Sequence, residues 1–399
     1  MDLRASGSST QEVESFLVGN IKWLMSYLTL GASDLSEPSE LVAEDARVAS
    51  LLSAGRLERD SVPSKFHHIS VDNLLPGTTY CYQVASGDEV GQPTQWSPGV
   101  VTTLTPPLGE LLFTFATVND MHVGEAVAGL IVIGGITLTP GFTWDDPENP
   151  YWKFTNEAAV RGINALGVDF TIAKGDVSSD FKEHEYHEVQ RILGGLTQPY
   201  YVMRGNHDRV GPTGPDYYRE VFGLNETWYS FDHKGIHFVA LDSVKLDDGA
   251  PQLTEEQLVF LDKDLASHNS STTFVYLHHA VTLEAFIWSI PPEDRDRFVV
   301  ILQKNPQVVG VFSGHSHRAK LTTDLTLKEM VFAETPSTKE YPMGFCTYQI
   351  YTGGYIQTFH RSICDECLEW NSMTRQEFFR LAPFFQFGSL ADKNFVVVY

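Results

Sequence analysis

Between about residues 108 and 361, short apolar runs rich in β-branched and aromatic residues alternate with segments whose apolar positions recur every three or four residues. That double periodicity predicts strands alternating with amphipathic helices. Strands are expected at 111–118, 168–173, 200–203, 273–277 and 308–312. A hairpin of 228–232 and 237–241 would turn at Lys234-Gly235, and closing strands are expected at 332–335 and 347–359. Helices are expected at 152–166, 181–193, 255–267 and 295–303. In the third helix Thr254 is placed to cap the N-terminus, Gln257 to complete a capping box, and Leu258, Leu261 and Leu265 to form the inward stripe. The pattern is that of an α/β chain.

Residues 1–107 lack this alternation. Short strands are expected at 66–71, 80–85 and 100–104, with Pro76-Gly77 as a turn and Tyr80 and Tyr82 alternating as in a half-buried strand. Pro106-Pro107 is a natural linker. The chain therefore divides into 1–107, 108–361 and a C-terminal extension, 362–399.

Composition narrows the partners. The chain has 42% hydrophobic and 12% aromatic residues, enough for a large core, which excludes wholesale disorder. Its 28 basic and 51 acidic residues leave a formal net charge of −23. Such a surface repels nucleic-acid polymers and anionic membranes, so neither is expected as a partner, and a phosphate-bearing ligand needs a local positive centre. The apolar stretches 16–30 and 126–142 fall short of the ~20 residues that span a bilayer. The first residues show no basic region followed by an apolar run, so no secretory signal is read and a cytoplasmic location is expected. Cys364 and Cys367 form a C-x-x-C without the second pair a zinc cage needs, and are expected as reduced thiols.

Placed on this map, the polar residues show a regularity. Asp120, His122, Asp176, Asn206, His207, His278, His315 and His317 each lie at or just past the C-terminal end of an expected strand. Sites form at the carboxyl ends of strands in sheets with helical crossovers. One histidine after a strand is ordinarily a surface or hydrogen-bonded residue; eight such side chains at five strand ends point to one site. Imidazoles with two carboxylates and an amide suit borderline metals such as iron, manganese, zinc or cobalt rather than calcium or magnesium. Seven candidate ligands exceed what one tetrahedral ion takes. They suffice for two ions sharing a carboxylate, the arrangement that cleaves phosphoesters.

In order, Asp-x-His, Gly-Asp-x-x-x-Asp, Gly-Asn-His-Asp, a strand-end histidine and Gly-His-x-His resemble the calcineurin-like metallophosphoesterase superfamily, from 111 to about 360. The resemblance implies two packed mixed β-sheets flanked by helices. It implies that Asp120, His122 and His317 hold one di- or trivalent metal ion, that Asn206, His278 and His315 hold a second, and that Asp176 bridges them. A bridging water would then exist as hydroxide near neutral pH and attack the phosphorus in line. His207 would protonate or stabilise the leaving oxygen, with Asp208 as its orienting partner. His279 would lie near substrate, a small phosphoester. Arg204 stands where the family commonly has proline, and its guanidinium is a candidate to grip substrate oxygens by bidentate contact.

The Leu-x-Pro-Gly-Thr-x-Tyr run at 74–80 resembles the tyrosine corner of fibronectin III-like sandwiches, so a small all-β domain resembling that of purple acid phosphatases is expected ahead of the catalytic fold. Those enzymes place a tyrosine ligand three residues after the bridging aspartate, where this chain has Ser179, and read Asn-His-Glu where it has Asn-His-Asp. These departures put phosphodiester hydrolysis ahead of acid-phosphatase-like monoester hydrolysis. A non-catalytic scaffold of the same fold is the third reading. It predicts eroded ligand positions, and here all seven are intact.

Overall fold

The strand expected at 111–118 forms over those residues (β1, Leu111–Val118) and becomes the centre of a six-stranded sheet. The computed structural model describes residues 69, 71, 73–86, 89–90, 92, 99–130, 132–133, 136–137, 139–211, 214–282, 289–324 and 330–399. They fall into two units, one holding Ile69–Thr103 and Ile131–Leu138, the other Leu104–Leu130 and Thr139–Tyr399.

In the smaller unit Thr79–Cys81 pairs antiparallel with Val100–Thr102, and two short antiparallel pairs join Ala85–Ser86 to Glu89–Val90 and Val132–Ile133 to Ile136–Thr137. The Tyr80 hydroxyl accepts a hydrogen bond from the Leu75 N–H at 2.8 Å, as a tyrosine corner requires. Most of the strand expected at 66–71 lies outside the described residues.

The larger unit is built on two mixed sheets. The first contains β1, β2 (Thr171–Lys174), β3 (Tyr200–Met203), β10 (Gly344–Tyr351), β11 (Gly354–Arg361) and β12 (Phe395–Val398) in the order β12-β11-β10-β1-β2-β3. The second contains β4 (Tyr229–His233), β5 (Ile236–Ala240), β6 (Thr273–Tyr276), β7 (Val308–Ser313), β8 (Lys320–Asp324) and β9 (Met330–Glu334) in the order β4-β5-β6-β7-β9-β8. β1, β2 and β3 run parallel, as do β5, β6, β7 and β9. All seven carboxyl ends therefore carry loops suited to a site.

An aromatic core lies between the sheets. Phe115 stacks on Phe170 with centroids 5.0 Å apart and meets Phe238 edge-on at 5.4 Å. Such pairs add about 0.5–1.5 kcal/mol each beyond the area they bury. The outer faces are covered by helices. Val160 and Ile163 of α1 (Tyr151–Leu166) and Tyr186, Val189 and Ile192 of α2 (Glu183–Leu193) cluster with Val118, Ala173 and Val202 of the first sheet. Leu258, Leu261 and Leu265 of α4 (Glu255–Ser267) and Phe298 of α5 (Pro292–Lys304) cluster with Val239, Val275 and Val311 of the second. A short α3 (Tyr217–Phe222) follows β3. Among the described residues no helix is long and apolar enough to cross a membrane.

The structure departs from the sequence reading in instructive places. Thr254 caps α4 by accepting the Gln257 N–H, but the Gln257 side chain turns away to bond both the N–H and the carbonyl of Asp242, both at 2.8 Å. A buried loop with unpaired backbone groups outcompetes the helix terminus, whose free N–H groups have water available. The run 347–359 is a hairpin, broken at Thr352-Gly353. β8 was not expected, and the extension 362–399 carries α6 (Asp365–Thr374) and the edge strand β12. Cys364 and Cys367, expected as reduced thiols, are joined in a disulfide. Their places at the N-cap and third residue of α6 bring the Cα atoms to 4.8 Å, within bridging range. Ahead of α1, Trp144 lies edge-on to Phe154 and to Trp370 of α6.

Candidate metal centre

Each expected ligand follows a strand that ends inside the molecule. β1 delivers Asp120 and His122, β2 delivers Asp176, β3 delivers Asn206, β6 delivers His278 and β7 delivers His315 and His317. The backbone at Asp120, His122, Asp176, His315 and His317 is left-handed, with φ of 51°, 43°, 50°, 67° and 53°. Non-glycine residues held there store strain of order 1–3 kcal/mol each, which a structure retains when the turn serves to aim a side chain. Gly205 lets two of these turns touch, since a Cβ there would lie 2.1 Å from the Asp176 nitrogen.

Two groups of side chains result. Asp120, His122 and His317 bring one ligand atom each within 4.8 Å of one another, and so do Asp176, His278 and His315. The Asn206 amide oxygen is 3.1 Å from His278 Nε2 and 2.7 Å from His315 Nδ1, so it belongs to the second group. Asp176 Oδ2 lies between the groups, 3.5 Å from His122 Nε2 and 3.3 Å from His278 Nε2. Its other oxygen accepts the His207 N–H at 2.7 Å, which fixes the carboxylate plane. The sequence reading thus placed seven residues at the ends of five strands, and the fold brings all seven together.

The charge balance fits cations. Burial opposes ionisation of Asp120 and Asp176, yet the neighbouring imidazoles hold both carboxyls below the ordinary range. Burial also works to lower His278, but Asp176 outweighs it and lifts the imidazole to about 9; Glu340 and Asp120 likewise raise His317. His122 and His315, pushed down by burial to about 4 and about 3, are neutral and free to offer lone pairs. Both ring nitrogens of His122 are buried without a hydrogen-bond partner. A pocket of buried carboxylates, neutral imidazoles and an orphaned ring is one that two positive ions complete.

An outer ring supports the first group, and the sequence reading missed it. His317 Nδ1 donates to Glu340 at 2.5 Å, and His122 Nδ1 lies 3.4 Å from Glu125. Buried Lys339 pairs with both carboxylates, and Tyr151 donates to Glu125 at 2.6 Å. Gln386, from the C-terminal extension, donates to Glu340 at 3.2 Å. Glu125 stands three residues after His122, a spacing that could have flagged it; Glu340 and Gln386 sit in no motif. Carboxylates behind ligand histidines fix the ring and raise its basicity. Glu340→Gln is therefore expected to weaken metal binding about 10–100-fold, read by competition with a chelator, while turnover at saturating metal changes little.

Three expected roles need correction. The Asp208 carboxylate does not orient the His207 ring: it accepts the N–H groups of Val177, Ser178 and Gly205 at 3.1, 2.9 and 2.9 Å, clamping the β2 and β3 loops together. Burial and the Asp176 charge raise Asp208 to about 6 against those bonds. His207 instead donates Nδ1–H to the Ser179 carbonyl at 2.7 Å, with its ring 4.4 Å from that of His122. Arg204 is fully buried, paired with Asp216 at 2.6 Å and Asp242 at 3.5 Å and lying over the Tyr218 ring, so it faces carboxylates rather than a ligand. His279 is also fully buried, its Nδ1 bonded to Ser243 at 3.0 Å and its ring 4.6 Å from that of His315. It packs against His315 and is closed to solvent, with its Nε2 left without a hydrogen-bond partner.

Comparison with known proteins gives the family and the fold. The family model for calcineurin-like phosphoesterases matches residues 113–319, more than half of the chain. The chain is 23% identical over 194 residues to the glycerophosphodiester phosphodiesterase GpdQ of Enterobacter lignolyticus, covering 46% of this chain and 68% of that protein. It is 26% identical over 192 residues to the 3',5'-cyclic adenosine monophosphate phosphodiesterase CpdA of Vibrio vulnificus, covering 46% of this chain and 66% of that one. The chain thus spans about two thirds of the length of these relatives. A dimetal phosphatase from Danio rerio shares the fold, with a TM-score of 0.51, 14% identity, and 64% of this chain and 98% of that chain covered.

Proposed function

The chain belongs to the calcineurin-like phosphoesterase family, and from that premise we propose that it is a dinuclear-metal hydrolase of small phosphodiesters, of the cyclic-nucleotide or glycerophosphodiester class. One observation carries the reading: Asp176 Oδ2 stands 3.5 Å from His122 Nε2 of one group and 3.3 Å from His278 Nε2 of the other. In this reading Asp120, His122 and His317 hold one ion, Asn206, His278 and His315 the other, and Asp176 both. The ligand chemistry accepts iron, manganese, zinc or cobalt. Bound there, a pair of such ions supplies the charge that draws in and polarises a phosphoester, and activates water. It also answers the net charge of −23, which would otherwise repel the substrate.

The chain's own residues do the rest. Glu340 keeps the His317 ring aimed, Glu125 sets its charge beside His122, and the Asp208 clamp keeps the Asp176 and Asn206 loops in register. His207 is half-buried at the edge of the centre; with Nδ1–H given to Ser179, Nε2 is the ring nitrogen left to carry a transferable proton, which it does when the ring is an imidazolium. From there it protonates the departing alkoxide, a contribution typically worth 10²–10⁴-fold. Ser179 thus supplies a backbone carbonyl to the acid at the position where purple acid phosphatases carry a tyrosine ligand.

The test is hydrolysis of an aryl phosphodiester beside the matching monoester, by protein loaded separately with each metal. Faster diester cleavage is expected. A clear monoester preference would replace this reading with the acid-phosphatase-like one, and absence of both activities with two metals bound would favour the scaffold. We further propose that the described part of 1–107 belongs to a fibronectin III-like sandwich, supported by the Tyr80–Leu75 bond, with 108–361 apart from 131–138 as the catalytic domain and 362–399 as an extension that lends it Gln386 and β12; residues 1–68 lie outside the described residues.

A further inference from the structure

Among the described residues, one further group of metal-ligating side chains lies outside the centre: Asp232, His237 and His268, one ligand atom of each within 4.8 Å of the others. Asp232 and His237 face each other across the β4–β5 hairpin, and His268 caps the C-terminus of α4. His237 lies near the start of β5, level with Thr273 at the start of β6, so the group sits at the opposite end of the second sheet from His278 and His315.

The hydrogen bonds are what single it out. His237 Nε2 is 2.7 Å from the Asp264 carboxylate, which Ser230 in turn holds by its hydroxyl at 2.9 Å. His268 Nδ1 is 2.8 Å from the Asp264 carbonyl oxygen. Asp264 therefore accepts from one nitrogen of each ring. The remaining nitrogens turn to one carboxylate: His237 Nδ1 is 2.7 Å from Asp232 Oδ1, and His268 Nε2 is 4.0 Å from Asp232 Oδ2. The two rings stack with centroids 3.7 Å apart. A histidine that binds metal through one nitrogen nearly always gives its other N–H to a carboxylate or a backbone carbonyl, and here both occur.

We propose that Asp232, His237 and His268 form a second, separate site for a borderline divalent cation such as zinc, with Asp264 as its supporting carboxylate. Two imidazoles and one carboxylate select zinc, nickel or copper over calcium and magnesium. Asp232 is 62% exposed and His268 29%, so water completes the coordination and ions enter from solvent. His237 is almost fully buried between two carboxylates and requires positive charge at Nδ1. A proton satisfies that need alone; a cation in its place also engages His268. Opening the stacked rings by a small rotation is the adjustment asked of the protein.

The experiment is equilibrium dialysis of the full chain against micromolar zinc chloride, with zinc per chain measured by atomic emission. Wild type is compared with His268→Ala and Asp232→Asn, and folding is checked by melting in zinc-free buffer. Each variant is expected to hold one zinc fewer than wild type and to keep its phosphodiester turnover. Asp264→Asn is expected to bind that zinc about 10–100-fold more weakly. Equal zinc content in wild type and a folded variant would overturn the site; Asp232, being exposed, supplies that comparison even if His268→Ala fails to fold. The readout is a difference, so it stands whether the Asp176 centre holds two ions or none.

Discussion

Asp176→Asn is expected to strip both ions from the centre and to abolish turnover, with the fold retained. The carboxylate oxygen that lies between His122 and His278 carries the charge both groups rely on, and an amide offers there a weak dipole instead. An outer support such as Glu340 costs about 10–100-fold in affinity when lost, and a shared inner ligand must cost well beyond that, at two ions at once. The amide remains able to accept the His207 N–H, so the loop geometry has no reason to collapse. Metal analysis and turnover on the same preparation check it. Two ions retained with full activity would remove Asp176 from the bridging position.

His207→Ala is expected to leave metal content unchanged and to lower turnover about 10²–10⁴-fold on substrates with alkyl leaving groups. The size should depend on the leaving group. A nitrophenolate departs without a proton, so the same variant should lose little on a nitrophenyl diester; an alkoxide needs the proton that His207 Nε2 supplies. The geometry makes this a sharp test, because His207 also lies within ligand range of His122 and Asp176. Loss of an ion in His207→Ala, or an equal loss on both kinds of substrate, would assign the ring to coordination instead.

The parts of this protein that were legible in its sequence are those where one residue type at one place has one physical reason. Leu111–Val118 and Tyr200–Met203 read as strands because a continuous apolar run bounded by polar turns has nowhere to go but a covered sheet. Leu258, Leu261 and Leu265 read as one helix face because a period of 3.6 residues aligns them. β12 escaped because Phe395–Val398 is a lone apolar run after short helices, and nothing local says which edge it joins. Arg204 and His279 misled in a common way. Their types and positions beside motifs suited a phosphate, while their side chains were already claimed by Asp216, Asp242 and Ser243.

Local periodicity and turn chemistry, then, determined by themselves the alternation of strands and helices and the gathering of histidines, aspartates and an asparagine at strand ends, since each depends on residues adjacent in the chain. Which oxygen stands between the two ligand groups, which carboxylate backs which histidine, and that Gln386 reaches Glu340 from the far end of the chain were decided only by the tertiary structure. Burial makes each polar group find a partner wherever the packed sheets bring one, and that partner's distance along the chain carries no energy.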